Sequence, residues 1–261
     1  MVSSSAMTFM AFSMVISILA PVVLFVYFHK KYTLSLKAVG IGALVWIIFT
    51  QVFEKSIHVY LLKTNPATAQ FLNNPYVLPF YGALMAGIFE ETGRYLAFRY
   101  VLKGKTEWKD GIAYGIGHGG IESIVVGMLL SINNLATAML INSGKLASLA
   151  SKGPSASLEQ IKHALTTTSP VMFALSGIER LLALAPQIAL SLIVLYGIKT
   201  GKIKYLFYAI LAHATLDIFA GMYQAHLVGV WVVEAIVAVF GVLAIWLIVR
   251  LKRSFTESNP W

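Results

Sequence analysis

Gly87-Ile88-Phe89-Glu90-Glu91-Thr92-Gly93-Arg94-Tyr95-Leu96 puts three ionisable side chains within five residues, in the middle of a largely apolar stretch from Tyr76 to Leu102. A charged side chain near the centre of a bilayer is unfavourable by at least ~2.5 kcal/mol on insertion scales, so such a group needs partners, water or a changed protonation state. The stretch is therefore expected to be a membrane helix whose charged face lines a polar cavity, and that cavity is expected to be an active site.

The remainder of the chain has the same character. Of its 261 residues 58% are hydrophobic and only 12% charged, with a mean hydropathy of +0.76, far too apolar for a soluble domain of this size. Apolar runs of helical length lie roughly at 7–28, 38–62, 76–102, 111–132, 171–198, 203–223 and 228–249. Each is long enough for a hydrocarbon layer of ~30 Å, which takes about 20 helical residues. The expected fold is thus all-α, a polytopic membrane bundle of about seven transmembrane helices. The first run is expected to stay in place, since no Lys or Arg precedes it and no small-residue cleavage site follows.

The net charge of +9 is distributed by loop. Alternate connections (Lys30, Lys31, Lys37; Arg99, Lys103, Lys105, Lys109; Lys199, Lys202, Lys204; Arg250, Lys252, Arg253) hold 13 of the 20 Lys and Arg, which predicts the N-terminus outside and the C-terminus in the cytoplasm. The basicity reports topology, and no nucleic-acid partner is implied. Absence of cysteine removes disulfides, thiolate ligands and thiol nucleophiles together. No internal repeat is visible, so residues 1–261 are expected to be a single transmembrane domain. Residues 62–79 read as an external loop, and 143–170 as an external loop with a short interfacial helix, Ser157 and Gln160 forming its capping box and Leu158, Ile161 and Leu165 its apolar face.

Three spans carry chemistry. Glu90 and Glu91 stand four and three residues before Arg94, so one arginine can hold both carboxylates on one helix face. His118 and Glu122 share a face at i and i+4, as do His213 and Asp217. Gly115, Gly117 and Gly120 spell a dinucleotide fingerprint, but no strand precedes them; small residues in a membrane span serve instead to let a neighbouring helix approach. By contrast, Glu54, Lys55 and His58, and the pair Glu179-Arg180, fall near the outer surface and read as interfacial pairs. Counted from each span's cytoplasmic edge at ~1.5 Å per residue, Glu90, Glu91, His118, Glu122, His213 and Asp217 all lie ~12–20 Å deep, in one band near the bilayer middle. Independent packing accidents would not share a depth.

Two histidines and four carboxylates at one level have the composition of a hydrolytic site. They suit Zn²⁺ or another divalent ion, with an ionised Glu taking a proton from bound water. They also suit a metal-free mechanism in which a Glu and His118 activate water while His213 holds the oxyanion. An aspartyl intramembrane protease would need two membrane Asp, whereas this chain has Asp110 at a span edge and Asp217; a His-Glu-x-x-His helix and a rhomboid-type serine elbow are both absent.

Glu90-Glu91-x-x-Arg94, Tyr114-x-x-x-His118 and His213-x-x-x-Asp217, in that order on three spans, resemble the three motifs of the CAAX protease and bacteriocin-processing superfamily, most closely the YhfC-type intramembrane metalloproteases, with PrsW-type proteases as cousins. The resemblance implies Glu90, together with His118, as the water-activating base, His213 with Asp217 as metal ligands or oxyanion support, and Arg94 as the orienting cation. Glu122 has its counterpart in the PrsW-type glutamate, and His118, Glu122, His213 and Asp217 are the candidate metal ligands. The chain departs from the CAAX endopeptidase pattern in three respects: Arg94 follows the Glu pair after two residues instead of three, Tyr114 replaces Phe, and Asp217 replaces Asn. Glu90 and Glu91 both stay candidates for the base.

The sequence is thus read as a multi-pass protein of the cell membrane, an intramembrane metalloprotease or glutamyl-type endopeptidase, whose partners are the lipid bilayer and a membrane protein or peptide substrate. The competing readings are an ion- or proton-coupled transporter and a non-catalytic membrane binding protein.

Overall fold

A computed structural model describes residues 1–146 and 155–257, apart from the side chains of 155–157 and 257. Among these residues every regular element is a helix: α1 (Ser4–Tyr32), α2 (Leu36–Thr64), α3 (Pro66–Leu72), α4 (Leu78–Leu96), α5 (Trp108–Asn142), α6 (Ser155–Thr167), α7 (Pro170–Lys199), α8 (Lys204–Gln224) and α9 (Val230–Glu257). Four stretches are wound as π-helix: Ile47–Glu54 and Tyr60–Thr64 in α2, Ala97–Val101 continuing α4, and Ser123–Met128 in α5. Ser35 caps α2 by accepting from the Ala38 amide. Left-handed backbone at Gly104, Gly144 and Gly201 marks the turns after α4, α5 and α7, where a side chain would be strained.

Six described helices, α1, α2, α5, α7, α8 and α9, are long and apolar enough to cross a membrane. The remaining run in the sequence, at 76–102, holds the 19-residue α4, set apart by Glu90, Glu91 and Arg94. Polarity is arranged for lipid. Val242, Val249 and Leu211 are more than 60% exposed, while Glu91, Arg94 and His118 are fully buried. The protein is a multi-pass integral membrane protein.

The stretch read as a loop at 62–79 contains α3. Its start signal is local: Asn65 accepts from the amides of Ala67 and Thr68, and Pro66 fills the first helical position, where no N–H is needed. In the segment 143–170, residues 147–154 lie outside the described residues, as does the Ser157 side chain on which the capping box depends. In α6, Leu165 is buried while Ile161 is 45% exposed.

The chain divides into two compact units. The smaller comprises 1–23 and 122–181. Its core is Val2, Ala6, Met10, Ala138 and Leu165. The Asn142 side chain joins it to the N-terminus, accepting from the Val2 amide at 2.8 Å and donating to the Val2 carbonyl at 2.9 Å. Ser123 donates to the Ser17 carbonyl, and Ser13 to that of Phe173.

The larger unit, 24–121 and 182–261, holds the charged layer. Glycines bring its helices together. An ideal Cβ on Gly115 would stand 2.6 Å from Ile188 Cα, one on Gly111 2.6 Å from the Leu192 side chain, and one on Gly119 2.9 Å from that of Gln187, so one face of α5 lies directly on α7. Gly117 on the same helix meets the Val39 backbone of α2, and Gly42 of α2 meets the Tyr114 carbonyl. Gly87 does the same for α4 against α8, where a Cβ would come within 2.8 Å of the Ile210 carbonyl oxygen. Small residues at helix contacts are the membrane route to close packing. One end of this unit carries lysines among aromatic rings: Lys252 lies over Tyr32 and Trp108, and Lys199 donates to the Phe255 carbonyl at 2.6 Å. Aromatic and basic residues gather in this way at a membrane interface.

Candidate functional site

The Gly87 contact on α8 is what positions the acidic pair, which follows on α4 by about one turn, against His213, the neighbour of Ala214. Glu91 Oε1 meets His213 Nδ1 at 2.8 Å. Glu90 turns to α5 instead: its Oε2 meets His118 Nε2 at 2.7 Å and lies 3.9 Å from His213 Nε2. The same His213 Nε2 is 3.4 Å from Asp217 Oδ2, one turn along α8. Glu90, Glu91, His118, His213 and Asp217, taken from three helices, thus meet in one constellation. Their shared depth reflects a shared place.

Beneath it lies a buried support. Arg94 forms an ion pair with Glu91, Nε to Oε2 at 3.4 Å, both side chains wholly inaccessible. Its two terminal nitrogens go to α7: one donates to the Gln187 carbonyl at 2.8 Å and to Ser191 Oγ at 3.1 Å, the other to Gln187 Oε1 at 2.7 Å. Gln187 Nε2 reaches Glu90 Oε2 at 3.4 Å, closing a ring of contacts through α4, α7 and α8, to which His118 of α5 is joined at Glu90. The expectation that Arg94 holds both carboxylates needs correcting. Among the described residues its ion pair is with Glu91 alone, because the i+3 carboxylate faces the guanidinium while Glu90 is turned onto His118.

Gln187 and Ser191 are the residues that sequence reading missed. A signal was present: Gln187 is an amide in the part of α7 between Arg180 and Lys199 that carries no charge, twelve residues from Lys199 and so ~18 Å deep, in the same band. Tyr114 stacks on the His118 ring with centroids 5.9 Å apart and packs against Phe98. Its hydroxyl and His118 Nδ1 have no hydrogen-bond partner among the described residues.

Glu122 stands one turn beyond His118 on α5, at the end of the α-helical stretch before the π-wound segment, and belongs to the smaller unit. There it lies 3.7 Å from Arg180, which also bonds Glu179 at 2.5 Å. Glu90 and His118 therefore offer a carboxylate oxygen and an imidazole nitrogen to a cation, and α5 carries a further carboxylate at Glu122. Glu54 and His58 pair at 3.1 Å.

The site graduates from dry to accessible. Arg94 and Glu91 are sealed, Glu90 and His213 are nearly so at 9% and 4%, and the Asp217 side chain is 36% exposed. Asp217 forms part of the wall of a cavity of about 550 Å³.

A multi-pass helical membrane protein with a buried Glu/His cluster where three helices meet is the class that fold and site define. The comparisons with known proteins agree. The chain matches the YhfC intramembrane metalloprotease family over residues 16–238, and it belongs to that family. It is 42% identical over 257 residues, 98% of this chain and the whole of the relative, to a Bacillus subtilis (strain 168) protein named "Uncharacterized membrane protein YhfC". No solved structure matches it.

Proposed function

We propose that this protein is an intramembrane metallopeptidase that hydrolyses a peptide bond within or beside the bilayer, and that its family falls within the CAAX protease and bacteriocin-processing superfamily. One observation carries the reading: Glu90 stands against His118 and within 4 Å of His213, whose neighbour Asp217 borders a cavity.

The donors suit a divalent ion. His213 gives Nδ1 to Glu91, the carboxylate–histidine arrangement that fixes a tautomer and leaves Nε2 as a donor atom. His213 Nε2 and Asp217 Oδ2 are 3.4 Å apart. Two ligands on a tetrahedral ion with bonds of ~2.0–2.1 Å also stand about 3.4 Å apart. His213 and Asp217 would hold the ion. Bound there, it would polarise the scissile carbonyl and make water more acidic.

The chain supplies the remaining steps. Glu90 takes the proton from water, whose oxygen attacks the carbonyl carbon, and returns it to the leaving amine, so the carboxylate is regenerated. His118, hydrogen-bonded to Glu90, holds that carboxylate in line. Glu91 stays as the orienting partner of His213, which its sealed position beside Arg94 favours over a role as base.

The test is cleavage of membrane-spanning peptides by protein purified into nanodiscs, with Glu90→Gln, Glu91→Gln, His118→Ala and His213→Ala as controls. Cleavage is expected to fall at least ~100-fold in Glu90→Gln, the range of a general base. Undiminished turnover in all four variants would end the assignment, and ion flux without proteolysis would favour a transporter.

A further inference from the structure

The cavity beside Asp217 is lined at one end by that residue and at the other by Pro75, Gln224 and Ala225, with His58 and Tyr81 on its walls. From Asp217 to Gln224 is seven residues of α8, ~10 Å of helix rise. At about 550 Å³ it falls in the size range of ligand pockets, far above the ~30 Å³ share of a single water.

The opposite approach is closed. Between the charged layer and the lysine-bearing ends of the same helices lie Phe98 in the π-wound continuation of α4 and Leu102 just after it, Ile112 and Tyr114 on α5, and Leu192 and Leu195 on α7, each at most 2% exposed. These residues belong to one contiguous apolar core. A polypeptide cannot reach Glu90 through that plug without unpacking it, whereas the cavity reaches Asp217 directly.

The cavity wall also carries an ordered polar chain distinct from the catalytic layer. Glu54 Oε1 meets His58 Nε2 at 3.1 Å, and His58 Nδ1 meets Tyr81 Oη at 2.9 Å, joining α2 to α4. The two rings are in edge contact with centroids 5.3 Å apart. Both His58 nitrogens are engaged in this chain, so the imidazole holds the Tyr81 hydroxyl in place, and the Tyr81 oxygen keeps a lone pair for a backbone N–H.

We infer that this cavity is the substrate groove, and that the active site is loaded from the lysine-poor, extracytoplasmic end by a juxtamembrane peptide segment whose backbone is positioned by Tyr81, itself held by His58. The inference rests on the peptidase reading for what the groove delivers, but its geometry is tested separately. The native chain contains no cysteine, so a single introduced thiol reports its own surroundings.

Two single-cysteine variants, Ala220→Cys on the groove wall and Tyr100→Cys, 60% exposed and next to the lysine-rich end, are treated with a membrane-impermeant maleimide in right-side-out and in inside-out vesicles. The groove thiol is expected to react at least tenfold faster in right-side-out vesicles, and the Tyr100→Cys thiol to show the opposite preference. In an Ala220→Cys/Glu90→Gln protein, which binds without turning over, a transmembrane peptide with its extracytoplasmic flank is expected to slow labelling at least fivefold, and the same peptide lacking that flank to leave it unchanged. Tyr81→Phe and His58→Ala are expected to raise KM several-fold with kcat nearly constant. Labelling of the groove thiol only from the inside-out face, or no protection by the flanked peptide, overturns the inference even if the enzyme cleaves. Protection without cleavage by the Glu90-intact protein would overturn the peptidase reading and leave the groove standing.

Discussion

Replacing Arg94 with Met tests the foundation of the site. The substitution keeps much of the apolar stem but deletes the guanidinium, and with it three hydrogen bonds to Gln187 and Ser191 and the ion pair to Glu91. What remains is a carboxylate with no exposed surface that has lost its arginine partner. Breaking a buried pair by removing one partner costs about 3–5 kcal/mol, mostly because the other charge is left uncompensated. At 1.4 kcal/mol per factor of ten, that is roughly two to three and a half powers of ten in the unfolding equilibrium. The cost should fall substantially in Arg94→Met/Glu91→Gln, where the leftover charge is neutralised, and Arg94→Lys should recover little, since an ammonium cannot serve the Gln187 carbonyl, the Gln187 amide oxygen and Ser191 as a planar fork does. The assay is reversible unfolding in mixed micelles by SDS titration, read by circular dichroism. An Arg94→Met protein within 1 kcal/mol of wild type, or a double variant no better than the single, would refute the idea that Arg94 exists to compensate Glu91.

Other outcomes follow from the same geometry. Glu90→Gln should abolish peptide cleavage while leaving metal content near one equivalent, whereas His213→Ala should lose both, as measured by cleavage and by atomic absorption on the purified protein. Chelation by 1,10-phenanthroline should remove at least about 90% of activity, with added Zn²⁺ restoring it; full activity after chelation would point to the metal-free use of the same groups. Gly87→Val should wedge α4 from α8 at the Ile210 carbonyl, costing at least the ~1–3 kcal/mol of ordinary overpacking and lowering cleavage, because Glu91 would be drawn from His213. Gln187→Leu should lower kcat with KM little changed, since the residue touches Glu90 and Arg94 and does not line the cavity.

The helical class, the membrane setting and the depth of the charged layer are legible in the chain. Apolar runs of about 20 residues dictate spanning helices because lipid offers no partner for backbone N–H and C=O groups. A fixed rise per residue turns sequence distance from a lysine-rich edge into depth, so Glu90, His118 and His213 could be set at one level before any packing was known. Depth, however, is one coordinate of three. Whether two residues at the same level touch depends on the rotation of each helix and on which helices are neighbours, and these are decided by contacts between residues far apart in sequence, such as Gly87 with Ile210 and Gly117 with Val39. Only the tertiary structure could therefore give Glu90 to His118 and Glu91 to His213, bring in Gln187 from a helix that carries no charge at that level, and leave Asp217 at the edge of a cavity while Arg94 is sealed beneath it. Periodicity and hydropathy are local properties of the chain, and the division of labour between two adjacent glutamates is not.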